Sequence, residues 1–127
     1  LIYLYRAGWL RSILSEPSNR AFLARQGYQT DQDCPGLLRQ LSRRLCLERE
    51  FPHEIGVFLG YPLSDVQEFI RSAGRNCLLS GYWKVYSNAD AAREIFARYR
   101  KCTDVYLRRF QDGFSLSRLT VCAKKAA

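Results

Sequence analysis

The sequence predicts a helix-rich α+β single domain, and three observations predict it. Apolar residues recur at three-and-four spacing in several separate stretches. Two other stretches, 1–6 and 77–86, are short and dense in aromatic and aliphatic side chains. Pro, Gly, Ser and Asn stand where the helical stretches begin and end. The expected sheet is small, with strands near 1–6 and 77–86, packed by five to six helices. The domain is expected over 1–122, with 123–127 a frayed tail.

Leu1–Arg6 opens on Leu-Ile-Tyr-Leu-Tyr and reads as a strand. The chain contains no Met, so further residues are expected ahead of Leu1. Trp9–Ser15 reads as a helical turn. Pro17 suits a helix's first position, where its missing N–H is no loss, and that helix runs to Gln26 and stops at Gly27. Cys34, Leu37, Leu38, Leu41 and Leu45 make one apolar stripe on a helix over 34–49, with Arg39, Arg43 and Arg44 facing solvent. A further helical segment begins at Pro52 and ends near Gly60. Ser64-Asp65-Val66-Gln67 matches a capping box for a helix that stops at Gly74. In 77–86, alternation puts Cys77, Leu79, Gly81, Trp83 and Val85 on one face and Leu78, Ser80, Tyr82, Lys84 and Tyr86 on the other. Ser87-Asn88 caps the longest helix, 89–111, with Gly113 as its stop. Its apolar face carries Ala92, Ile95, Phe96, Tyr99, Tyr106 and Phe110, and Glu94–Arg98 and Asp104–Arg108 are spaced to pair. Leu116–Val121 forms a last short helix. Trp83, Phe96, Tyr99, Leu41 and Ile70 are expected in the core.

Composition narrows the class without choosing a function. The 127 residues are 47% hydrophobic and 25% charged, which is ordinary globular usage. Apolar runs fall far short of the roughly 20 residues of a membrane span, and no secretory leader is recognisable. Five cysteines stand at least twelve positions apart with no C-x-x-C pair, so they are expected to be reduced, mostly buried thiols of a cytoplasmic protein. The net charge of +8 favours an anionic partner, and 90–125 carries nine Lys/Arg against four Asp/Glu.

Several residues invite a chemical reading. His53 has the right chemistry for a general base or a metal ligand, with Glu54 beside it to orient it. The plain alternative is the first turn of a helix, and the second His of a metalloprotease motif is missing. Gly56 and Gly60 suit either a phosphate-cradling turn or close helix packing and a helix stop. Lys84 among aromatics is either a nucleophile or anion anchor, or a snorkelling surface residue. Cys77 and Cys102 suit a split thiol or metal site, or two packed thiols. Arg93, Arg100, Lys101 and Arg108 cluster roughly opposite the aromatic face of their helix, where they either bind an anion or form a solvated face.

The block Phe51-Pro52-His53-Glu54-Ile55-Gly56-Val57-Phe58-Leu59-Gly60-Tyr61-Pro62, followed by Ser64-Asp65-Val66 and Phe69-Ile70, resembles the bacterial family DUF3793, a domain of unknown function. Cys77-Leu78, Gly81-Tyr82-Trp83-Lys84-Val85-Tyr86, the helix with Phe96, Tyr99 and Lys101-Cys102-Thr103, and Leu119-Thr120-Val121 are similar to it too. The resemblance covers nearly the whole chain. It implies further residues ahead of Leu1, including a His-Cys pair, and it carries no known activity.

The expected function is therefore a non-enzymatic cytoplasmic binding or regulatory module with a basic surface. Its anion-binding residues are Arg93, Arg100, Lys101 and Arg108, and its partner is an acidic protein, a nucleotide or a nucleic acid, with no membrane. A second expectation is a small enzyme using His53, Glu54 and Lys84. A third is a thiol or metal-binding protein using Cys77 and Cys102 with the residues ahead of Leu1. No cofactor and no metal ligand set is assigned.

Overall fold

A computed structural model describes residues 1–120. They form seven helices and a small antiparallel sheet of two strands, a helix-rich α+β fold. The chain groups into two compact units, one over Leu1–Ser87 and one from Asn88 onward. The frayed tail expected at 123–127 lies outside the described residues, as does the end of the last short helix at Val121.

The first unit holds α1 (Ala7–Ser15), α2 (Pro17–Arg25), α3 (Cys34–Leu47), α4 (Ile55–Phe58), α5 (Leu63–Ser72), β1 (Leu79–Ser80) and β2 (Lys84–Val85). Pro17 occupies the start of α2 as its fixed φ favours. Asp33 caps α3 by accepting from the Gly36 amide at 2.9 Å. The core gathers Leu10 and Leu14 from α1, Phe22 and Leu23 from α2, Leu37 and Leu41 from α3, Val57 and Phe58 from α4, and Val66 from α5. Gly56 lets α4 and α5 close up, because a Cβ there would meet Val66 Cγ2 at 2.7 Å. Gly60, at φ +77°, ends the turn after α4 and leaves room for the Trp9 ring.

Where the first unit departs from expectation, tertiary contacts override local preference. Residues 1–6 are extended chain with no ladder partner among the described residues. The Tyr3 hydroxyl, donating to the Phe58 carbonyl, anchors them instead, while Leu1, Ile2 and Leu4 stay exposed. Stretch 77–86 is a hairpin and not one strand, with Leu79 opposite Val85 and Ser80 opposite Lys84. The chain turns at Gly81-Tyr82-Trp83, and the predicted face still holds in that Trp83 and Val85 are buried. The capping box does not form: α5 starts two residues early, after Pro62 and without a side-chain cap, and the Ser64 hydroxyl lies 3.3 Å from the Ser87 hydroxyl. Ile70, expected in the core, is 37% exposed, at the edge of the α5 face that buries Asp65 and Val66.

Arg44 does not face solvent. Its guanidinium lies 4.4 Å over the Tyr28 ring, donates to Gln26 O at 2.6 Å and pairs with Glu54 at 3.2 Å. The four described cysteines are free thiols, as expected, but Cys34 and Cys77 are half-buried and Cys46 and Cys102 exposed. Cys46 falls off the α3 stripe, so its exposure follows from the helical period.

The second unit is α6 (Ala89–Gln111) followed by α7 (Leu116–Leu119). Asn88 caps α6 through the Ala91 amide at 3.1 Å, and Gly113 at φ +88° closes it. Ala92 and Phe96 are buried, whereas Tyr99, expected in the core, is exposed because α6 is solvent-covered from Ala97 to its end. The expected Glu94–Arg98 and Asp104–Arg108 ion pairs are not among the salt bridges of the described residues; Arg93 pairs with Asp90 at 2.7 Å, and Arg108 reaches the Asp104 carbonyl. Exposed pairs contribute at most about 1 kcal/mol, so spacing alone does not fix such contacts.

Tyr28 carries the clearest pH signature. Burial pushes its phenol well above the ordinary range, and the Glu54 carboxylate that accepts its proton at 2.9 Å pushes it further. The folded chain thus keeps a proton that the unfolded chain releases near pH ~10. Stability is intact below that pH and falls above it, by up to about 1.4 kcal/mol per pH unit. Tyr28→Phe should flatten this alkaline limb in urea unfolding midpoints taken on either side of pH ~10. Parallel limbs in variant and wild type would place the alkaline loss elsewhere.

Candidate functional site

A cavity of about 500 Å³ opens in the first unit between the turn before α4, α5 and the hairpin. That is the size range of small-molecule sites, roughly 300–1,000 Å³. Its walls are rich in aromatic rings. Phe51, His53 and Phe69 follow one another with ring centroids 5.6 and 5.0 Å apart. Tyr61 stacks on Trp83 at 5.0 Å and 26°. Residues Leu1–Tyr3 line one edge.

The turn before α4 explains why His53 faces this cavity. The carbonyls of Pro52, His53 and Glu54 accept from Ile55, Gly56 and Val57, so the chain tightens before the helix. Pro52 and Glu54 are buried, and the Glu54 carboxylate is held between the Tyr28 hydroxyl and Arg44. His53, one residue earlier, is exposed and puts its ring against Phe69. Sequence neighbours here serve different surroundings.

The hairpin supplies the opposite wall, and Asp65 fixes it. This buried carboxylate accepts from Trp83 Nε1 at 2.9 Å, the amides of Tyr86 and Ser87 at 2.9 and 3.1 Å, and the Ser87 hydroxyl at 3.0 Å. Lys84 then reaches back over α5. Its ammonium donates to Gly74 O at 2.6 Å and lies 5.9 Å from the centroid of Phe69. The imidazole of His53 and the ammonium of Lys84 thus share one aromatic ring.

Of the residues singled out in the sequence, the fold brings His53 and Lys84 into this cavity. Glu54 is not among its lining residues. Arg93, Arg100, Lys101 and Arg108 are all exposed on α6 in the second unit. Cys77 is half-buried after α5 and Cys102 exposed on α6, and no group of three or more His, Cys, Asp or Glu among the described residues could hold a metal ion. No helix among the described residues is long and apolar enough to cross a membrane. Sequence reasoning missed the cavity's Tyr61, Asp65 and Phe69. Asp65 was hidden inside a capping motif, the signal available for Tyr61 was the aromatic density of 51–61, and Phe69 carried no such local signal.

Together these features define a helix-rich α+β protein with a small-molecule-sized aromatic cavity and a lysine at its wall. The family model described as "Protein of unknown function (DUF3793)" matches residues 1–120, and the chain belongs to that family. No curated protein and no solved structure matches.

Asp65→Ala would strand the indole N–H and two amides, each worth about 1–3 kcal/mol when left unpaired in a buried setting. We expect a loss of about 2–4 kcal/mol in urea unfolding and a red shift of Trp83 emission over the background of Trp9. A loss below about 1 kcal/mol would mean that another contact positions the hairpin.

Proposed function

We propose that this protein is a non-enzymatic binding module whose cavity takes a small aromatic anion. The observation that carries this reading is Lys84 beside Phe69 in a cavity walled by Tyr61 and Trp83. Aromatic faces hold an apolar ring system by stacking and burial. A half-buried ammonium attracts a carboxylate, sulfonate or phosphate more strongly than one in bulk water. It spends one of its three protons on Gly74 O. His53, on the same ring of Phe69, adds a second polar edge.

The enzyme reading keeps His53 and Lys84 together but loses its third member. Glu54 is occupied by Tyr28 and Arg44, so the imidazole lacks the carboxylate that would orient it. Free thiols at all four described cysteines support a reducing, cytoplasmic setting for the module.

The test uses two probes of similar shape. Anilinonaphthalene sulfonate carries an anion, and N-phenyl-1-naphthylamine does not. Both should bind saturably at one site. Lys84→Gln should weaken the sulfonate about tenfold, ~1.4 kcal/mol, and change the neutral probe less than about twofold. Equal effects on both probes, or none on either, would sink the proposal.

A further inference from the structure

The exposed half of α6 carries a second, convex aromatic surface. Ala92, Phe96, Tyr99, Thr103, Tyr106 and Phe110 alternate four and three positions apart, the spacing that builds a seam along a helix. Ala92 and Phe96 are buried. Further along, Tyr106 is 42% exposed, Phe110 55% and the neighbouring Leu107 53%. From Tyr99 to Phe110 the seam runs about 17 Å, at ~1.5 Å per residue. Contiguous large apolar side chains in solvent mark an interaction surface.

Charge says what kind of partner this surface fits. Of the four cations expected opposite the aromatic face, only Lys101 and Arg108 lie there; on a helical wheel Arg93 and Arg100 border the seam on one side and Arg109 on the other. Of the acids of α6, Asp90 and Glu94 point away from it, while Asp104 lies beside Arg93 on the border that Arg100 also occupies. Arg93 is paired with Asp90, and Arg109 lies 5.4 Å over the Phe114 ring, where it keeps its charge. An apolar stripe bordered by arginines is complementary to an apolar stripe bordered by carboxylates.

We propose that α6 docks an amphipathic partner helix whose apolar stripe is flanked by Glu or Asp. A second copy of this chain is the poorer fit. It would bring another seam bordered by three arginines, Arg93, Arg100 and Arg109, against the single acid Asp104, on a chain whose net charge is +8. A nucleic acid is also the poorer fit. Lys101 and Arg108 lie behind the helix with Asp90 and Glu94 and not along the aromatic seam, so stacking and phosphate contacts would fall on different faces.

The probe is a fluorescein-labelled synthetic helix of three heptads, with Leu at the seam positions and Glu beside them. The Glu repulsion keeps the peptide itself monomeric. Its twin carries Lys for Glu. Anisotropy titration of the whole chain should show saturable binding of the Glu peptide that weakens at least about fivefold from low to high salt. Arg100→Glu should weaken it further. The double variant Tyr106→Glu with Phe110→Glu should abolish it with unchanged circular dichroism, since both positions are exposed. Lys84→Gln should leave it intact, which separates this surface from the cavity. Equal binding of the Lys twin, no saturable binding, or indifference to the double variant overturns the proposal. So does a dimer in sedimentation that the double variant dissolves, or an oligonucleotide that binds more tightly than the peptide and is lost in Arg100→Glu.

Discussion

One carboxylate holds the first unit's functional geometry in place. Asp65 is 2% exposed and sits in the first turn of α5, where the helix dipole favours a negative group. A buried charge is tolerated when its oxygens are saturated with donors. Here four donors do so, all from a hairpin about twenty residues downstream. That hairpin could not stand by itself. Its strands are two residues each, and isolated two-stranded ribbons are marginal in water. Asp65 converts a weak local preference into a fixed wall, and the Tyr86 hydroxyl accepting from Ser72 and the Tyr82 carbonyl accepting from Tyr61 tie down its flanks.

A second buried acid shapes the opposite wall by turning away from it. Glu54 receives the Tyr28 hydroxyl and the Arg44 guanidinium, and Arg44 also covers the Tyr28 ring and caps the Gln26 carbonyl. This binds the end of α2, the last turn of α3 and the turn before α4 into one polar node beside the apolar core. Because the backbone tightens there, His53 is delivered to the outside of the same turn. The catalytic pairing suggested by adjacency in the chain is thus undone by the fold that the adjacency helps to build.

The helices were legible because their signals are local. The α3 stripe, Pro17, Asn88 and the glycines at 27, 74 and 113 each act within a few residues of where they stand. Alternation also gave the correct faces of 77–86, since a turn of three residues preserves the parity of side chains. The single strand was wrong because the reversal at Gly81-Tyr82-Trp83 is set by Asp65, a long-range contact with no local mark. Arg44 was misplaced for the same reason: at the border of an apolar stripe, only the position of Glu54 decides whether a guanidinium turns in or out. As for the cavity, Lys84 and His53 stood out as unusual residues, but their meeting over Phe69 depends on both carboxylates at once. Tyr3 shows the limit at the other end of the chain, where an apolar pentapeptide reads as a strand and is held by one side-chain hydroxyl.

The positive charge also means something different once it is placed. Of twenty Lys and Arg, Arg44 is consumed inside the first unit and Lys84 is half-spent on a backbone carbonyl. On α6 the cations alternate with acids around the helix and do not form a continuous field. What remains distinctive is a few cations set beside exposed or half-buried aromatic rings, such as Lys84 at Phe69 and Arg109 at Phe114. In such an arrangement the ring surface supplies most of the contact and the cation chooses among apolar ligands by charge. A phosphate backbone offers charge without a matching apolar face, and a neutral hydrophobe offers the face without the charge. The ligands proposed for the cavity and for the helix seam combine the two, and a surplus of charge by itself was a poor guide to either surface.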